Sequence, residues 1–478
     1  MLFPTIEFAL FFMTVLPLTW ALNRRNELKK LMLVGVSYAF YSCWSVAFLP
    51  LLVLSSVGNY GFGRLIAACE GPRRRGMAVG CAVALNLAPL CYFKYYDFAA
   101  AQLQSLADLA GWPVALGSTG LAVPVAISFL TFHGISYVVD VHRRTIPASR
   151  SLLDLMLYVS FFPHLVAGPI VRAAEFLGQL ARPSNPGRID LSGSALLILG
   201  GLFKKVVVAS HLSVLYVDPV VTNPGAYGSV DLILAAYAYA IVIYCDFSAY
   251  TDIAIGVANL LGYRFPQNFD QPYIALSLQE FWRRWHITLS SWLRDYLYVP
   301  LGGSRGGRLL TLRNLVLTMV LGGLWHGAGL QFLVWGALHG VGLAAERGLR
   351  EATDPRGRLR GFLRSEAGEA LRWILVFHFV CLAWIFFRAP DCASALDYLA
   401  AIGRGLGGPA PLAATPLVLA LMAAGAATQL APPALAAAAR SLYGGAGLPA
   451  KVALGTALAW LVAMLSPSGV APFIYFQF

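Results

Sequence analysis

Residues 322–329 of the chain read GGLWHGAG, and this stretch lies inside an apolar run over residues 311–345. Four glycines in eight residues weaken a helix, and a titratable imidazole is costly in hydrocarbon. A broken helix at membrane depth is tolerated only where it lines a cavity or is buried in protein. We therefore predict that the helix breaks at HGAGLQ and that His326 faces a crowded polar cavity. The alternative is a core histidine bonded to a backbone carbonyl.

The composition around this stretch indicates a membrane protein. The chain has 478 residues, of which 58% are hydrophobic and 12% are charged, whereas a soluble protein carries about 25% charged residues. Apolar runs long enough to enter a bilayer number about a dozen by the hydropathy rule. We predict an all-α polytopic membrane protein with about 11–13 transmembrane or partial helices, including re-entrant segments and one interfacial amphipathic helix.

The distribution of charge predicts the topology. The net charge is +12, but it lies in short loops between apolar runs, which argues against a nucleic-acid partner. Under the positive-inside rule the basic segments 23–30, 71–76 and 346–364 are cytoplasmic, and the N-terminus is outside. The seven cysteines show no CxxC and no zinc spacing, so we predict neither a disulfide framework nor a metal site.

We predict one membrane domain over residues 1–478, without a soluble domain. Its parts are N-terminal helices over 1–150, a core over 151–345, the basic loop 346–364 and C-terminal helices over 365–478.

Within the core, the segment SLQEFWRRWHITLSSWLRDYLYVPLGG (277–303) has apolar residues at helical spacing. Ser277 and Glu280 form a capping-box pattern, and an amphipathic helix over 278–297 is predicted. The charged face predicts that this helix lies in the membrane surface. His286 falls on the border of the apolar stripe, where it can face a cavity or be an interfacial histidine without chemistry.

Four other titratable residues stand out. His164, between Pro163 and Gly168 in FFPHLVAGPI, indicates a re-entrant or broken segment. His339 would point away from His326 in one unbroken helix, which favours a structural role. Asp246 and Asp252 could hold a cation or proton, but pairing with Arg283 or Arg284 is favoured, because unpaired buried carboxylates are rare.

Several motifs in series resemble one family. YCDFSAYTDIAIG, FPQNFDQPY, FWRRWHITLSSWLRDYLYVPLGG and GGLWHGAGLQFLVWGALHG resemble the membrane-bound O-acyltransferase (MBOAT) family, in its bacterial alginate O-acetyltransferase branch. FPHLVAGPIVR, GLFKKVVVA, FVCLAWIFFRA and the final PFIYFQF fit the same branch, so the resemblance covers nearly the whole chain in order. Thr288 departs from this pattern, because it replaces the first serine of an RWHxSLS-like stretch.

The resemblance implies a ring of membrane helices around a thinned centre, with a funnel on one side and a tunnel to the cytoplasm. The implied chemistry is acyl transfer from a thioester to a hydroxyl. His326 matches the family's invariant histidine, and His286 matches the second functional histidine of the bacterial branch. Further residues are expected to line the substrate tunnel: Trp325, Trp282, Trp285, Ser290, His164, Asp246, Asp252 and His339.

The predicted function is O-acylation, most specifically O-acetylation of an alginate-like exopolysaccharide at a bacterial inner membrane. The donor substrate is acetyl-CoA or an acyl carrier thioester, attracted by basic loops that include Arg305 and Arg308, and no cofactor is permanently bound. Expected partners are periplasmic acetyltransferase-like relay proteins or the polysaccharide itself, with membrane lipid around the chain. The alternatives are D-alanyl or other acyl transfer to a teichoic-acid-like polymer, or a proton-coupled transporter using His326 and the two aspartates.

Overall fold

The structure is a computed structural model that describes residues 3–352, 358–404 and 412–465. Every regular element in these residues is helical, so the predicted all-α class is confirmed. The helices pack into two compact units, Met1–Ser194 with Ala254–Pro266, and Ala195–Ile253 with Gln267–Phe478. The division into parts within a single membrane domain stays a prediction.

Six helical stretches in the described residues are long and apolar enough to cross a membrane. They are Val46–Ala68, Pro72–Leu109, Leu191–Thr222, Ser229–Leu260, Arg308–His326 and Glu366–Arg388. Three apolar helices are shorter than these six: Ile6–Ala21, Pro416–Leu430 and Leu448–Leu461. The predicted multi-pass character therefore follows from helix length and composition.

The first unit consists of short and long helices joined by connections of different lengths. They are α1 (Ile6–Ala21), α2 (Asn26–Ser42), α3 (Leu49–Ala68), α4 (Pro72–Leu90), α5 (Tyr96–Leu109), α6 (Ile127–His142), α7 (Leu152–Ser160), α8 (Phe162–Leu165) and α9 (Ala173–Leu180). α4 and α5 are joined by a π-helical turn, Cys91–Tyr95. α10 (Leu191–Leu202) begins in this unit and ends in the second.

Polar contacts hold the buried helices of the first unit together. The side-chain amides of Asn59 in α3 and Asn86 in α4 exchange hydrogen bonds of 2.9 and 2.8 Å. A Cβ on Gly134 of α6 would overlap the amide of Asn86, so only glycine lets α6 pack over this pair. Lys30, 4% exposed, donates to Asp154 at 2.6 Å and ties α2 to α7.

The second unit contains the remaining helices. They are α11 (Ser210–Leu212), α12 (Asp218–Thr222), α13 (Ser229–Leu260, whose last turns belong to the first unit), α14 (Leu278–Arg284), α15 (Ile287–Leu293), α16 (Arg308–His326), α17 (Leu330–Ala352), α18 (Arg358–Leu363), α19 (Glu366–Arg388), α20 (Cys392–Arg404), α21 (Pro416–Leu430), α22 (Pro433–Gly445) and α23 (Leu448–Met464). π-helical turns occupy Phe203–Ala209, Ser213–Val217 and Arg294–Tyr298.

The glycine-rich stretch breaks its helix where the sequence predicts. α16 ends at His326 and α17 begins at Leu330. Three glycines set how closely α16 and α17 pack, because a Cβ on Gly323 would overlap the carbonyl oxygen of Phe332 and one on Gly340 would lie 2.7 Å from Cα of Val316. Gly336 approaches the backbone of α16 in the same way.

The predicted continuous amphipathic helix over 278–297 is wrong. Ser277 caps α14 as expected, its hydroxyl accepting from Glu280 N–H at 3.0 Å, but α14 ends at Arg284 and α15 begins at Ile287. His286 between them has a left-handed backbone with φ +41°. The loop before α14 explains the break: Asp270 N–H donates to Arg284 O and Ile287 N–H donates to Asn268 O, both at 2.9 Å.

The basic segment 346–364 is largely helical where the structure describes it. Residues 346–352 extend α17, and α18 covers Arg358–Leu363; residues 353–357 lie outside the described residues. Ion pairs at i,i+4 support the end of α17, with Arg347 2.8 Å from Glu351 and Arg350 3.4 Å from Glu346.

Candidate active site

His326 lies in an aromatic cage at the end of α16. Its imidazole is 5% exposed, and its ring centroid is 4.8 Å from that of Trp325 and 5.1 Å from those of Trp335 and Phe387. Trp335 is on α17 and Phe387 on α19, so the glycine break brings three helices around one imidazole. The predicted helix break and crowding at His326 are confirmed, and the predicted polar cavity at its imidazole stays a prediction.

His286 is held by the side chain of Asn268. Oδ1 of Asn268 accepts from the backbone N–H of Thr288 at 3.1 Å and from its hydroxyl at 2.8 Å. The backbone donor fixes which atom of the amide is the oxygen. Nδ1 of His286 lies 3.1 Å from the same oxygen, so Nδ1 must carry the proton. The neutral imidazole therefore keeps its lone pair on Nε2.

The environment of His286 keeps the ring neutral. The side chain of His286 has no exposed surface. Burial lowers the pKa of His286 to about 3, because a charged imidazolium would lose its hydration there. Nε2 has no hydrogen-bond partner within the part of the chain that the structure describes. A buried acceptor of this kind is suited to receive a hydrogen bond from a substrate.

The two histidines belong to one side-chain cluster. The ring of Trp325 lies 4.8 Å from His326 and 6.3 Å from His286, centroid to centroid. Phe247 of α13 covers the other side of His286 at 4.6 Å. The structure therefore brings the two histidines that the sequence singles out into one cluster, where both adjoin Trp325.

His339 lies next to this cluster with the opposite tautomer. The indole N–H of Trp282 donates to Nδ1 of His339 at 3.3 Å, so Nε2 of a neutral His339 carries the proton. Trp335 contacts both His339, at 4.9 Å, and His326, at 5.1 Å. The helix is broken between His326 and His339, so the argument that His339 would point away in one unbroken helix does not apply.

Two other predicted site residues have mainly packing roles. Trp285 is 1% exposed and packs against Trp384 at 5.0 Å and Phe269 at 5.1 Å. The hydroxyl of Ser290 donates to the carbonyl of Trp285 at 3.1 Å, and this contact supports the turn at His286.

The two aspartates of α13 are paired, but with different partners from those predicted. Lys204 lies 2.6 Å from Asp252 and Lys205 lies 2.7 Å from Asp246. The predicted partner Arg284 instead contacts Glu280 at 3.0 Å. Phe247 and Thr251, the chain neighbours of Asp246 and Asp252 in α13, contact His286 and Asn268.

His164 belongs to the first unit. Its segment is broken, as predicted: α7 ends at Ser160, α8 is one turn, and Gly168 has φ +130°, which favours glycine. Nε2 of His164 lies 2.9 Å from the carbonyl of Tyr158, and its ring is 4.6 Å from that of His133. These contacts describe a buried aromatic core; a re-entrant path stays a prediction.

A cavity of about 410 Å³ lies in the second unit beside these residues. Trp282 and Ser290 line it, together with Thr318 and Met319 of α16. Four arginines also line it: Arg283, Arg294, Arg347 and Arg350. Trp282 lies 5.8 Å from Trp335, which contacts His326, so two indole rings separate this basic cavity from the imidazole.

Sequence reasoning missed several residues of the site. Asn268 lies within the motif FPQNFDQPY, and a buried asparagine beside a titratable residue is a signal that could have been used. Trp335 and Phe387 carry no local signal, because only packing between distant segments places them. The cavity arginines belong to basic segments that the sequence singles out, but their convergence on one cavity depends on the same packing.

Asn268 is expected to position His286. Asn268→Ala should lower kcat by about 10²-fold, since a misplacement of about 1 Å has this effect, and should leave buried donors on His286 and Thr288 unpaired. Asn268→Asp keeps an oxygen that can accept from His286 and Thr288, and it should retain most of the wild-type kcat. Its carboxylate would also raise the pKa of His286, so the pH–rate profile should gain an ionisation.

The matched control is Gln267→Ala, an exposed neighbour in the same loop, which should behave like the wild type. A well-folded Asn268→Ala protein with unchanged kcat, or an Asn268→Asp protein with an unaltered pH profile, would contradict the positioning role.

Comparison of the sequence with known proteins identifies the family of the chain. The sequence model of the membrane-bound O-acyltransferase family, MBOAT, matches residues 125–387, more than half of the 478-residue chain. The chain belongs to this family. It is a multi-pass membrane O-acyltransferase.

Three bacterial relatives show which branches are similar. The probable alginate O-acetylase AlgI of Pseudomonas syringae pv. tomato is 40% identical over 76% of this chain and 68% of its own length. The peptidoglycan O-acetyltransferase of Helicobacter pylori is 36% identical, over 77% of this chain and 73% of its own length. The teichoic acid D-alanyltransferase of Bacillus subtilis is 26% identical, over 55% and 68%.

Proposed function

We propose that the protein transfers an acetyl group from a cytoplasmic thioester toward hydroxyl groups of an extracytoplasmic, alginate-like polysaccharide, with His326 and His286 at the reacting atoms. The observation that carries this proposal is the pair of buried imidazoles that both adjoin the ring of Trp325. The relatives named for alginate acetylation support the acceptor class. D-alanyl transfer to a teichoic-acid-like polymer is the alternative, supported by the less similar relative.

The proposed step is a direct acyl transfer. His326 takes the proton of the acceptor hydroxyl as its oxygen attacks the thioester carbonyl carbon. The C–O bond forms, the C–S bond breaks, and the imidazolium returns the proton to the leaving thiolate. Burial in aromatic rings excludes water, which protects the thioester from hydrolysis.

The tautomer of His286 narrows its proposed role. With the proton on Nδ1 engaged by Asn268, Nε2 can accept a hydrogen bond but cannot donate one to the acyl carbonyl. His286 therefore orients the acceptor sugar through a neighbouring hydroxyl, whose O–H donates to Nε2, while the attacking hydroxyl donates to His326. Its low basicity leaves proton removal to His326.

The basic cavity is the proposed entry for the donor. Coenzyme A and phosphopantetheine carriers bear phosphate groups, and arginine binds phosphate with paired N–H donors. Arg294 is oriented by a bidentate contact with Asp295, at 2.7 and 3.1 Å, and Arg347 by Glu351. The thioester arm would pass from these arginines toward the indoles of Trp282 and Trp335. The role of Arg305 and Arg308 in attracting the donor stays a prediction.

Arg283→Gln tests this donor site. The change should raise KM for acetyl-CoA by about tenfold, because one charge-assisted hydrogen bond to a phosphate is lost, while kcat should stay near the wild-type value. The measurement is donor turnover by protein in liposomes, with an alginate oligosaccharide as acceptor.

Arg404→Gln is the control, because Arg404 is exposed and lies outside the cavity lining. If Arg283→Gln changes KM no more than Arg404→Gln does, the cavity is not the donor site. Turnover with a D-alanyl carrier and teichoic acid, but none with acetyl-CoA and the polysaccharide, would favour the alternative acceptor.

The inner membrane, with the N-terminus outside, is the proposed location. In a background without cysteines, Gly117→Cys should react with an impermeant thiol reagent added to spheroplasts, and Arg74→Cys should react only after lysis. Both positions are exposed, and they lie on opposite sides under the positive-inside rule. Labelling of Arg74→Cys in intact spheroplasts would contradict the proposed orientation, because position 74 would then lie outside the cytoplasm.

A further inference from the structure

A second, larger cavity lies between α17 and α19 of the second unit. Its volume is about 1110 Å³. We call it the α17–α19 groove, and its apolar lining includes Ala337, Leu338, Val341, Ala345, Leu375 and Phe379. It shares Arg350 with the basic cavity, but its walls are otherwise different and mainly apolar.

The apolar walls of the groove are partly exposed. Val341 is 57% exposed and Leu375 is 61% exposed. α19 is one of the helices long enough to cross the membrane, so this face meets hydrocarbon. An acyl chain fits such a wall, whereas a polar peptide would leave its backbone groups unsatisfied there.

One end of the groove is basic. Arg350, Arg364 and Arg372 line it, with Glu346 as the acidic residue among the lining side chains. The carboxylate of Glu346 already accepts from Leu278 N–H at 2.7 Å. Arg372 is held in place because its guanidinium donates to the carbonyls of Leu276 and Leu363, at 3.2 and 3.1 Å.

We propose that the α17–α19 groove binds an anionic glycerophospholipid. The phosphate and headgroup lie at Arg364 and Arg372, where α19 begins, and one acyl chain follows Val341, Leu375 and Phe379 into the membrane. Clustered arginines at the end of a membrane helix favour anionic over zwitterionic headgroups. This site lies outside the proposed reaction and does not rest on it.

The bound lipid would also support the active site. α17 presents Leu338 and Val341 to the groove and Trp335 and His339 to the catalytic cluster. A ligand that fills the groove therefore restrains α17, and with it the rings of Trp335 and His339.

The test is lipid retention by the full chain. Protein purified in detergent is mixed with dioleoyl phosphatidylglycerol or dioleoyl phosphatidylcholine, and bound lipid is measured by native mass spectrometry. The wild type should retain phosphatidylglycerol in preference to phosphatidylcholine. Arg364→Gln should lower phosphatidylglycerol retention about fivefold, and the double change with Arg372→Gln should lower it further.

Two more variants complete the test. Val341→Trp fills the groove at an exposed position and should reduce retention of phosphatidylglycerol without unfolding the protein. Arg440→Gln removes an exposed arginine from α22 and should bind like the wild type. Equal retention of both lipids by the wild type, or undiminished phosphatidylglycerol in the well-folded Arg364→Gln and Val341→Trp proteins, would overturn the proposal.

Discussion

Detergent-purified His326→Ala protein is expected to fold and to lose acyl transfer by about 10²–10⁴-fold, the contribution of a positioned general base. The imidazole is nearly buried among Trp325, Trp335 and Phe387, so no solvent base can replace it. His326→Gln should not restore the rate, because an amide can form hydrogen bonds but cannot take a proton near neutral pH. The assay is acetyl transfer to a polysaccharide oligomer, with melting curves as the control for folding.

A histidine elsewhere in the same unit provides the matched control. His378 of α19 contacts Tyr237 at 2.7 Å and takes no part in the cluster around His326. His378→Ala should therefore keep wild-type turnover. Wild-type turnover by a well-folded His326→Ala protein would exclude His326 as the base.

The double variant tests whether His326 and His286 act together. Residues that act as one catalytic unit show effects that do not add. His326→Ala with His286→Ala should therefore be little slower than His326→Ala alone. Fully multiplicative losses would mean that the two histidines serve separate steps.

The second large effect is expected at Gly336. A Cβ there would overlap the carbonyl oxygen of Met319 and lie 2.9 Å from Cα of Val320. Both are backbone atoms of α16 and cannot rotate away, so Gly336→Ala must push α16 and α17 apart. Overpacking of this kind costs about 1–3 kcal/mol or more, and it moves Trp335 relative to His326. We expect a clear fall in melting temperature and loss of transfer.

Gly348→Ala is the matched control on the same helix. The nearest atom to a Cβ at Gly348 is the guanidinium of Arg308, at 3.5 Å, so the change has room. Replacing a helical glycine with alanine is itself favourable by about 1 kcal/mol. Gly348→Ala should therefore melt at or above the wild-type temperature. If Gly336→Ala melts like Gly348→Ala, the close packing of α16 and α17 does not limit stability.

The features predicted from sequence are those whose cause is local. The break after His326 follows from glycines within the same turn, and the start of α14 follows from the serine cap at Ser277. The membrane character follows from composition alone. Each of these depends on residues that are neighbours in the chain.

The features that were missed depend on contacts between distant segments. The break at His286 arises because the loop at Asn268 and Asp270 exchanges hydrogen bonds with the backbone on either side of it. No pattern within 278–297 encodes that exchange, and the apolar spacing alone favours one helix. The lysine partners of Asp246 and Asp252 lie about 40 or more residues away, on a π-helical turn whose register helical spacing does not predict.

The paired indoles of Trp282 and Trp335 have a consequence for the energy supply of the cell. A water-filled passage for a thioester arm would also conduct protons, and each elementary charge that crosses dissipates about 2.3 kcal/mol per 100 mV of membrane potential. The apolar rings between the basic cavity and His326 would interrupt a continuous chain of water molecules. The neutral imidazole of His286 adds no fixed charge beside them. Aromatic side chains can part to admit a slender acyl arm and close behind it. Under the proposed donor route, the protein would therefore pass acetyl groups to the acceptor without discharging the proton gradient of the cell.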